Sequence, residues 1–289
     1  CRAGKRLRRF KNNTKIRRIL RSQNSAYFCL VYKYDKINLM ENVFSKKQKK
    51  SIVIIPCYNE AQNIEKLIPA IFKFEKNINV LIINDSSEDN TKEVAQKLQK
   101  KYSKKFFIMN RTGQRSFCQS YVDGFKWALS KDYDFIFQMD GDFSHHPKYL
   151  PVLLKQMKNY DLVIGSRYLK KRIGVKNWNG SRLFFSILSN FYIKSITRLP
   201  INDATSGFKC FRRSVLETMD FNKISARGFA FLIEMNWMVF CAGFKISEIP
   251  IVFFGRKHGK SKLSFNKIIE GLWIPIKIFY DKSNCFGIF

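Results

Sequence analysis

The chain has 289 residues and a mass of 34.1 kDa, with 45% hydrophobic and 15% aromatic residues, so it can bury a substantial core and is not disordered throughout. Its 14 Gly and 7 Pro are too few for collagen-like or low-complexity classes. The 53 Lys or Arg against 22 Asp or Glu give a formal net charge of +31, which favours nucleic acid, anionic lipid or phosphorylated small molecules as partners.

The first fifty residues hold much of this charge, with 16 Lys or Arg and 2 acidic residues. From Arg2 to Arg21 there are ten basic residues and no sustained periodicity, which predicts a disordered basic extension over residues 1–50. A nucleic-acid-binding arm and an Arg-rich transit peptide are the functional alternatives. We favour vestigial or wrongly assigned upstream sequence for residues 1–39, because the first Met, Met40, stands just before the first predicted strand.

The seven cysteines include no C-x-x-C pair, and their odd count predicts neither a disulfide framework nor a zinc ribbon. This cysteine usage favours a reducing compartment. The sequence has no run of 18 or more apolar residues, which predicts that no helix spans a membrane.

Beyond Lys50, apolar runs alternate with amphipathic stretches, which predicts a βαβα pattern. The predicted strands are residues 52–55, 80–83, 106–109, 135–138 and 162–164. The predicted helices are residues 61–75, 90–101, 117–130 and 147–158. Continuous apolar strands alternating with helices are typical of a mostly parallel, doubly wound α/β sheet, which binds ligands at the carboxyl ends of its strands.

Two later segments, residues 182–198 and 268–280, are apolar around much of a helix. Each could be a helix that faces the core. The basic residues at the ends of the first segment, and the Ile, Trp and Phe content of the second, favour amphipathic contact with a membrane interface instead.

A glycine-containing loop follows a predicted strand at residues 249–254. Three residues separate Gly255 from Gly259 where a P-loop needs four, and the sequence has no G-x-G-x-x-G, so neither an ATPase nor a dinucleotide fingerprint is present. The loop still has the cations expected of a phosphate clamp. These are Arg256, Lys257, Lys260 and Lys262.

The sequence Asp140-Gly141-Asp142 follows the fourth predicted strand. Two carboxylates separated by one small residue can bind a single hard divalent ion and leave positions for phosphate oxygens. An Asp-Gly turn is the structural alternative. His145 and His146 lack metal-ligand spacing, so we interpret both as structural.

In order and spacing, the motifs resemble those of family 2 glycosyltransferases with the GT-A fold, and in particular dolichol-phosphate mannose synthase and its polyprenol-phosphate glycosyltransferase relatives. The resemblance covers about residues 51–275 of a domain expected to span residues 51–289. Its motifs are PCYNE at 56–60, an acidic turn ending in Asp85, MDGDFSHHP at 139–147, GSRY at 165–168, DATSGF at 203–208 and RKHGKSKL at 256–263. Two departures are Asn84, where relatives have Asp, and RSFC at 115–118, where they have a Gly-Leu-Gly turn.

The resemblance implies a role for each matching position. The implied nucleotide-sugar-binding residues are Pro56, Tyr58, Glu60, Ile83, Asp85, Asp140, Gly141 and Asp142. Asp140 and Asp142 would hold Mg²⁺ or Mn²⁺. The implied phosphate- and acceptor-binding residues are Arg167, Arg182, Ser206, Arg256 and Lys262. Within these sets, Asp142, Arg167 and Arg256 would act in catalysis.

The implied activity is inverting transfer of mannose from GDP-mannose to dolichyl or polyprenyl phosphate. The alternatives are a UDP-glucose or UDP-N-acetylglucosamine donor on the same acceptor and, from another class, a basic nucleic-acid-binding protein. We expect no nucleic-acid partner, because the Lys and Arg beyond the extension are dispersed. The expected location is peripheral, at the cytoplasmic face of the endoplasmic reticulum or of a bacterial inner membrane, on anionic lipid, with small membrane subunits as a further option.

Overall fold

The strands of the first half begin where the sequence changes to continuous apolar runs. The computed structural model describes residues 49–169, 172–255 and 265–281, without the side chains of 265–267. Its first elements are β1 (Ser51–Cys57), α1 (Ala61–Phe74), β2 (Ile78–Asp85), α2 (Thr91–Lys101), β3 (Phe106–Arg111), α3 (Phe117–Leu129), β4 (Phe135–Gln138), a 3-10 turn (Pro147–Tyr149), α4 (Leu150–Gln156) and β5 (Leu162–Ser166). The predicted βαβα pattern is confirmed.

The second half adds short strands and two long helices. Its elements are β6 (Tyr168–Leu169), β7 (Arg172–Ile173), β8 (Val175–Lys176), α5 (Gly180–Thr197), β9 (Lys209–Arg212), α6 (Arg213–Glu217), a 3-10 turn (Phe221–Lys223), α7 (Phe231–Cys241), β10 (Ile246–Pro250), β11 (Phe253–Phe254) and α8 (Phe265–Tyr280). Nearly all of the predicted basic extension, residues 1–48, lies outside the described residues.

Seven strands form the main sheet in the order β10-β5-β9-β4-β1-β2-β3. All neighbours are parallel except β9, which is antiparallel to both β4 and β5. The mostly parallel α/β sheet is confirmed, whereas the sequence analysis did not predict β9. Cys57 at the end of β1 lies beside Asn84 of β2, so the turns that follow these strands lie at one edge of the sheet.

Helices cover both faces of the sheet, which explains the continuous apolar strands. In β1, the side chains of Ile52 and Ile54 belong to one buried cluster, and those of Val53 and Ile55 belong to the other. Helices α3, α5, α7 and α8 contribute to the first cluster, and α1, α2 and α4 contribute to the second. A strand with helices on both faces needs apolar residues at every position, so this layering matches the pattern seen in the sequence.

The strand predicted at residues 249–254 is divided, and this prediction is corrected. Residues Ile246–Pro250 pair with β5, whereas Phe253–Phe254 pair with β8 in a separate two-stranded sheet. The backbone N–H of Val252 donates to the Tyr149 hydroxyl at 2.9 Å instead of to a strand. Pro250, which has no backbone N–H, ends the first strand, so the run contains a local signal for the break that the prediction did not use.

The two late amphipathic segments form α5 and α8, close to the predicted bounds. The helices pack together, and the Tyr192 hydroxyl of α5 donates to the Leu272 carbonyl of α8 at 2.8 Å. Within the described ranges, no helix has the length and apolar character needed to cross a bilayer. Among the described cysteines, Cys57, Cys118 and Cys210 are buried free thiols.

A fully buried lysine in β9 predicts a pH-dependent stability. The Lys209 ammonium donates to the Leu232 carbonyl at 3.2 Å and to the Asn236 side chain at 2.8 Å, and burial lowers its pKa to about 7. Because an unfolded Lys keeps a pKa of about 10.4, the unfolded state binds more protons between these two values. The free energy of unfolding should therefore rise by about 2 kcal/mol from pH 7 to pH 9 through this residue alone.

The test is chemical denaturation of the wild type and of Lys209→Met at pH 7 and pH 9. We expect the difference in the free energy of unfolding between the two proteins to change by about 2 kcal/mol from pH 7 to pH 9, because the other titrating groups are common to both. Lys245→Met, which changes an exposed lysine, serves as the control. An equal pH dependence in the wild type and in Lys209→Met would contradict the prediction.

Candidate functional site

Three turns that follow parallel strands meet in one open cleft of about 1150 Å³. The turn after β1, the end of β2 and the D-x-D turn after β4 all contribute to its lining. The predicted residues that line it are Pro56, Tyr58, Glu60, Asp85, Asp140, Gly141 and Asp142. The opposite wall comes from the start of α3, from residues 224–229 and from Glu270 of α8.

Tyr58 lies in the cleft with its ring covered by a cation. The Arg115 guanidinium lies 3.9 Å from the ring centroid, and the Tyr58 hydroxyl donates to Glu88 at 3.1 Å. The sequence analysis noted the segment beginning at Arg115 only as a departure from relatives. A nucleotide base that enters this part of the cleft would contact the Tyr58 ring and the planar Arg115 guanidinium together.

Asp85 is buried and joins β2 to α3. One carboxylate oxygen forms an ion pair with Arg111, and the other accepts from the Ser116 N–H at 3.0 Å. Arg111 also donates to Asp123 of α3 at 2.8 Å. These bonds hold the start of α3 against the strand end, so Asp85 gives the cleft a rigid edge as well as a carboxylate.

The D-x-D turn is held by a buried tyrosine and a buried histidine. The Tyr121 hydroxyl donates to Asp140 Oδ1 at 3.3 Å, and the Asp140 N–H donates to His145 Nδ1 at 3.4 Å. Asp142 Oδ1 accepts from the Ser144 N–H at 3.0 Å. Both carboxylates therefore have defined positions at the floor of the cleft.

Both histidines have structural contacts. Burial lowers the pKa of His145, although Asp140 and Asp142 oppose the shift, so this imidazole is neutral near pH 7. Its ring stacks on Phe208 with the centroids 5.0 Å apart. His146 accepts from the Lys148 N–H at 3.1 Å and caps the 3-10 turn.

Two glycines allow the D-x-D turn to lie close to its neighbours. A Cβ at Gly207 would lie 3.0 Å from Asp140 Oδ1, and a Cβ at Gly141 would lie 3.1 Å from the Cys57 sulfur. Only residues without a side chain fit these positions without displacement. The glycine of the DATSGF motif therefore packs directly on the carboxylate of the D-x-D motif.

The two carboxylates fit a hard divalent cation. Carboxylate oxygens suit Mg²⁺ and Mn²⁺. In the part of the chain that the structure describes, no group of three or more His, Cys, Asp or Glu side chains could hold a metal ion by itself. A cation at Asp140 and Asp142 would have coordination positions left for phosphate oxygens and water.

Arg167 forms a buried ion pair beside the cleft. Its Nε donates to Asp203 Oδ2 at 2.7 Å, and its Nη2 donates to Asp203 Oδ1 at 2.6 Å and to Thr205 at 2.8 Å. Although burial opposes the charge, Asp203 raises the pKa of Arg167 above its ordinary value. Arg167 is not among the residues that line the cleft, so its visible role is to hold the loop that ends in Gly207.

The remaining predicted site residues lie apart from the cleft or outside the description. Ile83 is packed in the core, and the Ser206 hydroxyl donates to the Gly165 carbonyl at 2.6 Å. The Arg182 guanidinium lies 4.2 Å from the Trp178 ring centroid at the start of α5. Arg256 and Lys262 lie outside the described residues.

The wall formed by residues 224–229 is held by two carboxylates that were not predicted from the sequence. Glu234 of α7 accepts from the N–H groups of Ser225 and Ala226 at 3.1 and 2.8 Å. Glu270 of α8 accepts from the N–H groups of Arg227 and Gly228. No local pattern in the sequence indicates the second contact, because its partners are more than 40 residues apart.

Comparison with known sequences identifies a family and two similar proteins. Residues 52–220 match the sequence model of Glycosyl transferase family 2. The chain is 33% identical over 226 residues to a polyprenol monophosphomannose synthase from Mycolicibacterium smegmatis, covering 78% of this chain and 85% of that protein. It is 32% identical over 213 residues to an undecaprenyl-phosphate mannosyltransferase from Micrococcus luteus, covering 74% and 87%.

The solved structures give a likeness in fold. Glucosyl-3-phosphoglycerate synthase from Mycobacterium tuberculosis, in complex with Mn²⁺, UDP and glucosyl-3-phosphoglycerate, superposes with a TM-score of 0.59 and 15% identity. The superposition covers 83% of this chain and 81% of that chain. At this identity the likeness concerns the fold alone.

Proposed function

Because this chain belongs to glycosyl transferase family 2, we propose that it is an inverting enzyme that transfers mannose from GDP-mannose to dolichyl or another polyprenyl phosphate. The chain is a glycosyltransferase, and its mannosyltransferase relatives support mannosyl transfer to a lipid phosphate. The observation that carries the proposal is the single cleft in which the turn after β1, the end of β2 and the D-x-D turn meet.

The acceptor is its own nucleophile in this reaction. A phosphate monoester has a second pKa of about 6, so it is largely ionised near neutral pH and needs no general base. Its oxygen attacks the anomeric carbon while the bond from that carbon to the diphosphate breaks, and the nucleoside diphosphate leaves with the electron pair. A single direct displacement of this kind inverts the anomeric centre.

The work of the protein is positioning and charge stabilisation. We propose that Asp140 and Asp142 hold Mg²⁺ or Mn²⁺ against the diphosphate. The bound cation would neutralise charge that develops on the leaving group. The M. tuberculosis synthase was solved with Mn²⁺ and UDP together, which supports a divalent ion in a cleft of this fold.

The donor and acceptor contacts of the other residues are also proposals. Pro56, Tyr58, Glu60 and Asp85 would hold the base and ribose, and their place in the cleft lining supports this assignment. Ile83 stays a prediction for the same subsite, although it is packed in the core and does not line the cleft. Arg167, Arg182, Ser206, Arg256 and Lys262 stay predictions for the phosphates, and for Arg167 the ion pair with Asp203 favours a positioning role.

We propose that α5 and α8 dock the enzyme on the cytoplasmic face of a membrane, where the acceptor lies. The two packed helices expose large apolar side chains, with exposed fractions from 40% to 76%. These are Phe184, Phe185, Ile187, Leu188, Phe191, Ile268, Ile269, Leu272, Trp273, Phe279 and Tyr280. Exposed basic residues on or beside α5 suit anionic lipid, and apolar faces with basic neighbours are typical of interfacial helices.

Removing apolar side chains from this face should weaken membrane binding. The triple variant Phe184→Ser, Phe185→Ser, Trp273→Ser should bind anionic vesicles about 1000-fold less or weaker still, because each of the three aromatic rings contributes roughly 1.5–3 kcal/mol when buried in an apolar phase. Co-sedimentation with phosphatidylglycerol vesicles measures the effect. Phe74→Ser removes an exposed ring from α1, on the opposite layer, and should bind normally. Equal binding by the triple variant and Phe74→Ser would contradict docking through α5 and α8.

A donor assay tests the proposed reaction. Radiolabelled GDP-mannose, UDP-glucose and UDP-N-acetylglucosamine are offered separately with polyprenyl phosphate and Mg²⁺, and the label that enters the lipid phase is counted. We expect label only from GDP-mannose. Label from none of the three donors would refute the proposal.

A UDP-sugar donor is the second candidate. The observation in its favour is the UDP bound to the M. tuberculosis synthase, which has a similar fold. Transfer from UDP-glucose or UDP-N-acetylglucosamine alone would replace GDP-mannose as the donor and leave the acceptor class unchanged.

A further inference from the structure

One wall of the cleft, here called the far wall, is a short segment held by two carboxylates. Residues 224–229 form this segment between the second 3-10 turn and α7, and they line the same cleft as the turn after β1. Glu234 belongs to the helix that directly follows this segment. Glu270 belongs to α8, far along the chain, and it also lines the cleft.

Glu270 binds the backbone of this wall directly. Its carboxylate accepts from the Arg227 N–H and from the Gly228 N–H, the latter at 3.0 and 3.2 Å. Hydrogen bonds from a backbone N–H to an ionised carboxylate are stronger than neutral ones. Replacement of Glu270 would leave both donors without this acceptor, so the wall would lose its attachment to α8.

A second contact joins the same face of α8 to the same wall. The Lys277 ammonium donates to the Ser225 hydroxyl at 2.8 Å and lies 3.9 Å from Glu234. Seven residues separate Glu270 from Lys277, which places them on one face of the helix two turns apart. Ile274 lies between them and is buried in the core.

The outer face of α8 is the apolar face described above. Leu272 and Trp273 are 53% and 59% exposed, although they lie within three residues of Glu270. One helix therefore joins the proposed lipid contact to the wall of the cleft. A change in the position or order of α8 therefore affects both the lipid contact and the wall of the cleft.

The wall in turn contacts the start of α3. The Cys118 N–H donates to the Arg227 carbonyl at 3.4 Å, and the rings of Phe117 and Phe229 have centroids 4.8 Å apart. The preceding Ser116 N–H donates to Asp85. A continuous series of contacts thus leads from α8 through the wall to the carboxylate at the end of β2.

We propose that Glu270 is a positioning residue through which α8, when it lies on a lipid surface, orders the 224–229 wall and raises the affinity of the cleft for a nucleoside diphosphate. The inference rests on the proposed function, in which a nucleoside diphosphate is the leaving group. The coupling is reciprocal, so a bound nucleoside diphosphate strengthens vesicle binding by the same factor. Donor binding and membrane binding thereby favour each other.

The test is calorimetric titration of GDP and of UDP, each with Mn²⁺, into the full-length protein with and without phosphatidylglycerol vesicles. For the wild type, vesicles should tighten binding of the preferred nucleotide by about fivefold or more, the lower end of typical coupling between sites. Glu270→Ala should bind the nucleotide more weakly and show no tightening by vesicles. Glu270→Gln keeps one acceptor oxygen and should recover part of the effect.

Glu217→Ala is the matched control, because it removes a glutamate from a helix away from the cleft, where it pairs with Arg213. It should behave as the wild type. Vesicle co-sedimentation and thermal unfolding of Glu270→Ala test whether the variant still binds membranes and still folds. If both persist, the weaker nucleotide binding reports lost coupling and not a loss of structure.

The outcomes distinguish the inference from the function on which it rests. Equal nucleotide affinity of the wild type with and without vesicles, or full tightening in Glu270→Ala, would overturn the inference and leave the proposed function intact. Failure of both nucleotides to bind under any condition would overturn the inference together with the proposed donor chemistry.

Discussion

Replacing Asp142 with Asn should lower the rate of sugar transfer about 100-fold or more, because a cation that stabilises the leaving group is worth several kcal/mol. Asn has the size of Asp, and its side-chain oxygen can still accept from the Ser144 N–H. The fold should therefore persist while the negative charge is lost. Initial rates, the thermal midpoint and calorimetric Mn²⁺ binding in the presence of nucleoside diphosphate measure these effects separately.

Asp220→Asn is the control for this substitution. Asp220 also accepts a backbone N–H two residues further along, from Asn222 at 3.1 Å, but it is exposed and does not line the cleft. It should keep the wild-type rate. Wild-type activity should also disappear with EDTA and return with Mg²⁺ or Mn²⁺. Normal turnover by Asp142→Asn, or activity that resists EDTA, would contradict the metal-site assignment.

Replacing Asp203 with Ala should destabilise the protein by about 3–5 kcal/mol, because it leaves the buried Arg167 cation without its carboxylate. The Asp203 side chain is fully buried, and it accepts from both the Arg167 guanidinium and the Arg167 backbone N–H. Chemical denaturation measures the loss. The exposed pair of Arg213 and Glu217 supplies the comparison, because Glu217→Ala should cost no more than about 1 kcal/mol.

A double variant separates the two roles considered for Arg167. Arg167→Met with Asp203→Leu replaces the buried pair by apolar groups, and it should recover much of the stability lost in Asp203→Ala. If Arg167 only holds the loop that ends in Gly207, this double variant should also recover part of the turnover. Recovered stability without recovered turnover would support direct phosphate binding. A loss below about 1 kcal/mol in Asp203→Ala would contradict a structural ion pair.

The sequence was sufficient to predict five strands of the main sheet and one side of the cleft. Tyr58, Asp85 and Asp142 each follow a continuous apolar run, and a run of this kind forms a strand covered on both faces. Parallel strands have their carboxyl ends at one edge, so polar residues after successive runs must come together there. Strand formation is a local property that residue order can express, whereas the antiparallel pairing of β9 was not predicted.

Only the tertiary structure decided which side chains pair across the site. Arg167 has a guanidinium, which is a group that commonly binds phosphate. In the structure, this guanidinium is paired with Asp203, 36 residues further along the chain. Glu270 reaches the 224–229 wall, and the Arg115 guanidinium covers Tyr58, although no spacing in the sequence indicates either contact. Pro250 marks the point at which the strand predicted at 249–254 ends, whereas only the structure shows that its two parts join different sheets.

The sequence by itself determined the order of elements in the first half, the mostly parallel character of the sheet and the acidic turns, because these follow from apolar periodicity and from turn chemistry within a few residues. The partners of Arg167, Glu270 and Arg115 depend on how helices and loops pack over the sheet, which brings together residues that are distant along the chain. A charged residue looks the same in a sequence whether its side chain binds a ligand or a neighbouring side chain. Only the distances in the folded protein distinguish the two.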